Sequence, residues 1–194
     1  MTDSTSFARL VSLAAHDLRT PLATVSGFAK TLTRMGELED PAARYVGMIE
    51  AASDQLAELL DDLGLVARIE SGRYEPTLRD ASTLGLAQAA AERLGEERVQ
   101  VSGDGGTVRV DPDATERAVA ALARCALRHG GLEHVDVAAD GAVVSVAPIE
   151  PNAAPVVLGE ELRDLGAAVA VRVVRALGGT VTLAGGTLSV RLPT

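Results

Sequence analysis

The chain has 194 residues, enough for one ordinary domain or two small ones, and 47% of them are hydrophobic, which excludes a disordered chain as the default. Its formal net charge of −9 argues against a nucleic-acid partner, because phosphate binding needs clustered lysine and arginine. A single cysteine, Cys125, excludes an internal disulfide and fits a reducing compartment.

The opening stretch, "MTDSTSF", carries neither the basic nor the apolar segment of a secretory leader. No apolar run reaches the ~20 residues a membrane span requires, so no span is expected and the cytoplasm is the expected location. From Phe7 a three-and-four spacing begins: Phe7, Val11, Ala14, Leu18, Pro21, Val25, Phe28, Leu32 and Met35. Tyr45, Ile49, Ala52, Leu56, Leu59, Leu63 and Val66 repeat it. The pattern predicts two long helices with a coiled-coil-like stripe, joined through "GELEDPAA" as an antiparallel hairpin. Pro41 suits the first turn of the second helix, with Asp40 as its expected N-cap. Met48, Leu60 and Ile69 widen the second stripe beyond what one partner helix covers. A homodimer closing a four-helix bundle is the expected completion.

Within the first helix lies "HDLRTPL". His16 stands two residues before Leu18, which turns it roughly 200° from the stripe and out to solvent. Thr20, Ala23, Gly27, Lys30 and Arg34 follow on about the same face. Pro21 cannot donate to the carbonyl of Asp17, so a freed carbonyl and a local bend are expected one turn from His16.

All four aromatic residues, Phe7, Phe28, Tyr45 and Tyr74, precede Pro76, and there the pattern changes. Two domains are expected, at 1–75 and 76–194. In the second, "TLGLAQAAAERLG", "DPDATERAVAALARCALRHGG" and "ELRDLGAAVAVRVVRALGG" read as amphipathic helices, the middle one capped by Asp111 and stopped at Gly130. "ERVQVSGDGGTVRV", "VDVAADGAVVSV" and "TVTLAGGTLSV" read as hairpins. The expected fold class is α+β: a helical hairpin, then an α/β sandwich with a helix layer on a mixed sheet. Cys125 reads as a buried core residue on an Ala-rich helix, and Arg128-His129 as a solvated helix end.

His16-Asp17-Leu18-Arg19-Thr20-Pro21-Leu22 resembles the phosphoacceptor box of bacterial sensor histidine kinases, and the likeness runs from about Phe7 to Pro76. The resemblance implies a dimerisation and histidine-phosphotransfer domain. His16 would be the phosphorylated residue, Asp17 the acid that orients the imidazole and acts as base, and Thr20 the residue that positions water during dephosphorylation of a receiver. Arg19, Ala23, Gly27 and Lys30 would meet the docked partner, a response-regulator receiver domain. The residue types suit the chemistry. Imidazole is nucleophilic near neutral pH, and a neighbouring carboxylate can fix its tautomer.

The second domain resembles the ATP-binding domain of the same kinases in its order of elements, with eroded motifs. Ala121 and Cys125 stand where the family carries two asparagines, one of which holds magnesium. Ala147–Asn152 replaces the Asp-x-Gly-x-Gly turn, and the Gly-rich phosphate loop is reduced to Leu165-Gly166-Ala167. A short Pro-rich link replaces the nucleotide lid. The expectation is therefore a histidine phosphotransfer protein of a two-component relay that binds no nucleotide, cofactor or metal itself. The receiver would supply Mg²⁺. A divergent active kinase and a non-catalytic regulator docking on a kinase or receiver are the alternatives.

Overall fold

The computed structural model describes residues 2–36, 38–95 and 97–194; Met1, Glu37 (in the expected helix link) and Glu96 lie outside them. The chain divides into two compact units, the first ending at Tyr74 and the second running Glu75–Thr194.

The first unit is a pair of helices, α1 (Thr2–Met35) and α2 (Ala42–Glu70). α1 continues through Pro21, whose ring removes the N–H that would reach Asp17. Pro41, rather than Asp40, precedes α2 as its N-cap, and no side chain caps the helix there. The helices close on small and medium residues at strict seven-residue intervals. Ala8, Ala15 and Ala29 are buried with Leu22 half-buried between them, against Val46, Ser53, Leu60 and Ala67. Two cross-hairpin ion pairs confirm the antiparallel register: Arg19 Nη2 to Asp61 Oδ1 at 2.6 Å and Lys30 Nζ to Asp54 Oδ1 at 2.9 Å.

This corrects the expected seam. Phe7, Leu18, Val25, Phe28, Leu32 and Met35 are exposed in the single chain, as are Tyr45, Ile49, Leu56 and Leu59. The buried row on α1 begins at Ala8, one residue and so about 100° round from Phe7. The hairpin therefore uses its alanines for close helix approach and leaves its largest apolar side chains on another face.

The second unit is a sandwich. A five-stranded mixed sheet has the order β2-β4-β5-β7-β6, built from β2 (Val99–Gly105), β4 (Val135–Asp140), β5 (Val143–Ala147), β6 (Thr180–Ala184) and β7 (Thr187–Arg191). β2 pairs parallel with β4, and the other neighbours are antiparallel. Burial alternates along β4, β5 and β7, as it must when one sheet face meets a helix layer and the other meets solvent. That layer is α3 (Thr83–Leu94), α4 (Pro112–Gly130) and α6 (Leu165–Ala176), with a short helix α5 (Ala154–Val157) between β5 and α6. The core is aliphatic: Val137, Val144, Val146, Leu188 and Val190 from the sheet meet Val119, Leu122, Val171 and Val174 from the helices.

The Asp-Gly and Gly-Gly hairpins β4–β5 and β6–β7 form as expected. The "GDGG" hairpin does not. β2 and β3 (Thr107–Val110) enter different sheets, because β3 pairs with β1 (Arg79–Ser82) in a separate two-stranded ribbon. Gly103 sits at a bulge with φ +100°, and a Cβ there would strike the carbonyl of Ala139. Thr83, fully buried, stabilises the same region: its hydroxyl donates to the Gly141 carbonyl at 2.7 Å and accepts from the Gly106 N–H at 2.8 Å.

Candidate functional site

The helical repeat sets the first site. Residues four apart on α1 stack along one row, so His16, Thr20 and Thr24 align on the side away from the buried alanines. With Arg19 and Ala23 they line an open groove of about 510 Å³. The His16 side chain is 76% exposed, and its Nδ1 lies 3.2 Å from Asp17 Oδ1. Where Nδ1 carries the proton it donates to the Asp17 carboxylate, and Nε2 is the ring nitrogen that this contact leaves unengaged.

Arg19 borders the groove while its Nη2 bonds Asp61 Oδ1 on α2. The guanidinium has five N–H donors, so one such bond leaves others to meet an anionic oxygen. Exposed pairs of this kind contribute only ~0–1 kcal/mol, so its main effect is to orient the arginine. Thr24 Oγ1 donates to the Thr20 carbonyl at 3.2 Å. Of the four expected docking residues, Arg19 and Ala23 lie in the groove. Gly27 is exposed further along α1. Lys30 instead reaches across the hairpin to Asp54. Thr24 was missed by the sequence reading, although its position eight residues after His16, on the same row, signals it.

In the second unit, Cys125 is fully buried on α4, as expected. Burial and the Asp164 carboxylate push its thiol up to about 12, against a smaller downward pull from Arg128. Of the expected solvated end, Arg128 is exposed but His129 is not. The His129 side chain is only 20% exposed and faces Asp164, while Asn152 Nδ2 donates to the His129 carbonyl at 2.6 Å. The segment between β5 and α6 is more than a Pro-rich link. Ile149, Ala153, Val156 and Val157 are buried, and the Ile149 N–H donates to the Gly186 carbonyl at 2.7 Å. The start of α6 is closed by its own N-cap, since Asp164 Oδ1 accepts from the Ala167 N–H at 3.0 Å.

The site is thus a helical hairpin with an exposed histidine–carboxylate pair, followed in the chain by an α/β sandwich. Residues 8–72 match the His Kinase A (phospho-acceptor) domain. Over 69 residues the chain is 33% identical to the probable sensor histidine kinase TcrY of Mycobacterium tuberculosis, covering 36% of this chain and 14% of that protein. The chain spans between 11% and 21% of the length of the curated relatives it matches. Among solved structures, full-length ShkA in complex with AMPPNP superposes with a TM-score of 0.70 at 22% identity, covering 95% of this chain and 45% of that one. The Acinetobacter baumannii histidine kinase AdeS gives 0.61 at 17% identity, covering 92% and 97%. Residues 8–72 thus form a phospho-acceptor hairpin of the His Kinase A type, and the domain that follows has the fold seen in those structures.

Proposed function

We propose that this chain is a histidine phosphotransfer protein of a two-component relay, exchanging a phosphoryl group between His16 and the aspartate of a response-regulator receiver. The observation that carries the reading is the His16–Asp17 contact, which leaves Nε2 open on an accessible groove. In the forward step Nε2 attacks the phosphorus of the receiver's aspartyl phosphate. The N–P bond forms, the P–O bond to the aspartate breaks, and the free carboxylate leaves with the bonding pair. The ring becomes cationic, and Asp17 stabilises it through the Nδ1 proton. Arg19 offers donors to the phosphoryl oxygens, and Thr20 lies one turn along to position water when a receiver is dephosphorylated. Mg²⁺ comes with the receiver, and the transfer draws on no cofactor of this chain. The exposed face bearing Phe28, Leu32, Leu56 and Leu59 supports a homodimer that buries it as a four-helix bundle.

Loss of nucleotide binding is supported by chemistry at the second unit. Cys125 offers no hard oxygen to magnesium. The helix N-terminus that could cradle phosphate carries the Asp164 carboxylate instead, which repels phosphate and already uses the Ala167 N–H. The buried α5 segment leaves no open lid. The second reading, a divergent active kinase, is favoured by the fold shared with AdeS and with the AMPPNP-bound ShkA structure. Calorimetry with ATP and Mg²⁺ separates the two. The phosphotransfer reading expects no saturable heat, and a micromolar dissociation constant would replace it with the kinase reading.

A further inference from the structure

Three side chains of the second unit converge at the junction of α4 and α6. Cys125 and His129 are four residues apart, so they share one face of α4 a turn from each other. Asp164 uses Oδ1 to cap α6, while Oδ2 lies 3.4 Å from His129 Nε2. One donor atom from each residue lies within 4.8 Å of the other two. His129 Nε2 is buried and has no hydrogen-bond partner among the described residues. Buried unsatisfied polar atoms are rare, and one aimed at a thiol and a carboxylate is accounted for by a cation between them.

We propose that Cys125, His129 and Asp164 form a three-ligand site for one Zn²⁺-class ion, with a fourth position open to water or a ligand. Zinc takes sulfur at ~2.3 Å and nitrogen or oxygen at ~2.0–2.2 Å, so tetrahedral donors stand roughly 3.3–3.8 Å apart. His129 Nε2 and Asp164 Oδ2 already stand 3.4 Å apart, and with all donors within 4.8 Å the remaining pairs must close by no more than about 1–1.5 Å. A thiolate, an imidazole and a carboxylate together favour zinc or cobalt over magnesium or calcium, which take oxygen ligands. On binding, the thiol proton leaves to solvent and the sulfur lone pair bonds the ion. The C-terminal end of α4 contributes negative potential at the site. Arg128 Nη1 opposes the cation from 3.6 Å of Asp164 Oδ2, but its side chain is 60% exposed and can turn into water. Cys125 forms the floor, and entry is from the His129 and Asp164 side. The site is independent of His16 and ties α4 to α6.

The test uses the full chain freed of metal with a chelator and titrated with Co²⁺, then Zn²⁺. Because Cys125 is the only cysteine, a thiolate-to-cobalt charge-transfer band reports this site alone. The proposal expects one Co²⁺ per chain, that band together with tetrahedral visible bands, and displacement by Zn²⁺. Cys125→Ala suits the Ala-rich helix and should abolish the band. His129→Gln and Asp164→Asn, the latter keeping the α6 cap, should each weaken Zn²⁺ binding about tenfold or more. Circular dichroism confirms that each variant is folded. No saturable binding at micromolar metal overturns the site. So does a cobalt spectrum without the thiolate band, or Zn²⁺ affinity unchanged in Cys125→Ala.

Discussion

Asp17 touches the ring nitrogen opposite the one that would carry phosphate, which assigns it two separable tasks. Asp17→Asn keeps an acceptor oxygen for the Nδ1 proton but removes the charge. It should slow phosphate uptake by His16 about 10²–10⁴-fold without loosening the hairpin, as rapid-quench transfer kinetics beside urea unfolding would reveal. Thr20→Ala should spare uptake and reduce only net loss of phosphate from the receiver. The box was legible because its geometry is local: residues four apart on a helix share a face whatever the rest of the fold does. Asp164 was not legible as a neighbour of Cys125 and His129, since only the packing of α4 against α6 joins positions so far apart in the chain. The Cys125 thiol yields a further prediction, for chelated protein. Its value of about 12 lies above the 9.0 of an ordinary thiol, so the folded chain holds a proton that the unfolded chain gives up. Stability is therefore intact below pH about 9 and falls as pH rises through about 12. Cys125→Ala should flatten that part of the decline, measured by urea midpoints at stepped alkaline pH.

The helices and turns show where periodicity reads well and where it misleads. Helix existence, the two Gly-centred hairpins and the Asp111 cap follow from local rules, and Asp111 Oδ1 does accept from the Ala114 N–H. The seam of the first unit departs from the expected one because large apolar residues dominate a pattern, whereas the hairpin closes on alanines of α1 against Val46, Ser53, Leu60 and Ala67 of α2. Ala15 is buried where α1 meets α2, so Ala15→Leu should overpack the seam and lower stability by about 1–3 kcal/mol in denaturant unfolding. Its sequence neighbour Ala14 is exposed, so Ala14→Leu should leave the hairpin's own stability nearly unchanged. The "GDGG" turn was misread because glycines mark both hairpins and bulges, and only the sheet partners distinguish them. Gly103→Ala should be destabilising by at least about 1–3 kcal/mol, because both its positive φ and the Ala139 carbonyl exclude a Cβ. An unchanged unfolding midpoint would contradict the bulge geometry.

At the scale of the molecule, the first unit leaves too much apolar surface for an isolated hairpin, with Phe28 69% and Met48 62% exposed. A dimer at micromolar concentration is expected by sedimentation, and Leu56→Asp should split it by placing an unpaired charge in the buried face. In the proposed relay, phosphate reaches His16 from a receiver and not from ATP. The most direct measurement runs two labelling reactions side by side, one with a panel of phosphorylated receiver domains and one with labelled ATP and Mg²⁺. Acid-labile, base-stable label is expected on the chain from at least one receiver, none from ATP, and none in His16→Ala. Label acquired from ATP, or uptake by His16→Ala at the wild-type rate, would contradict that relay.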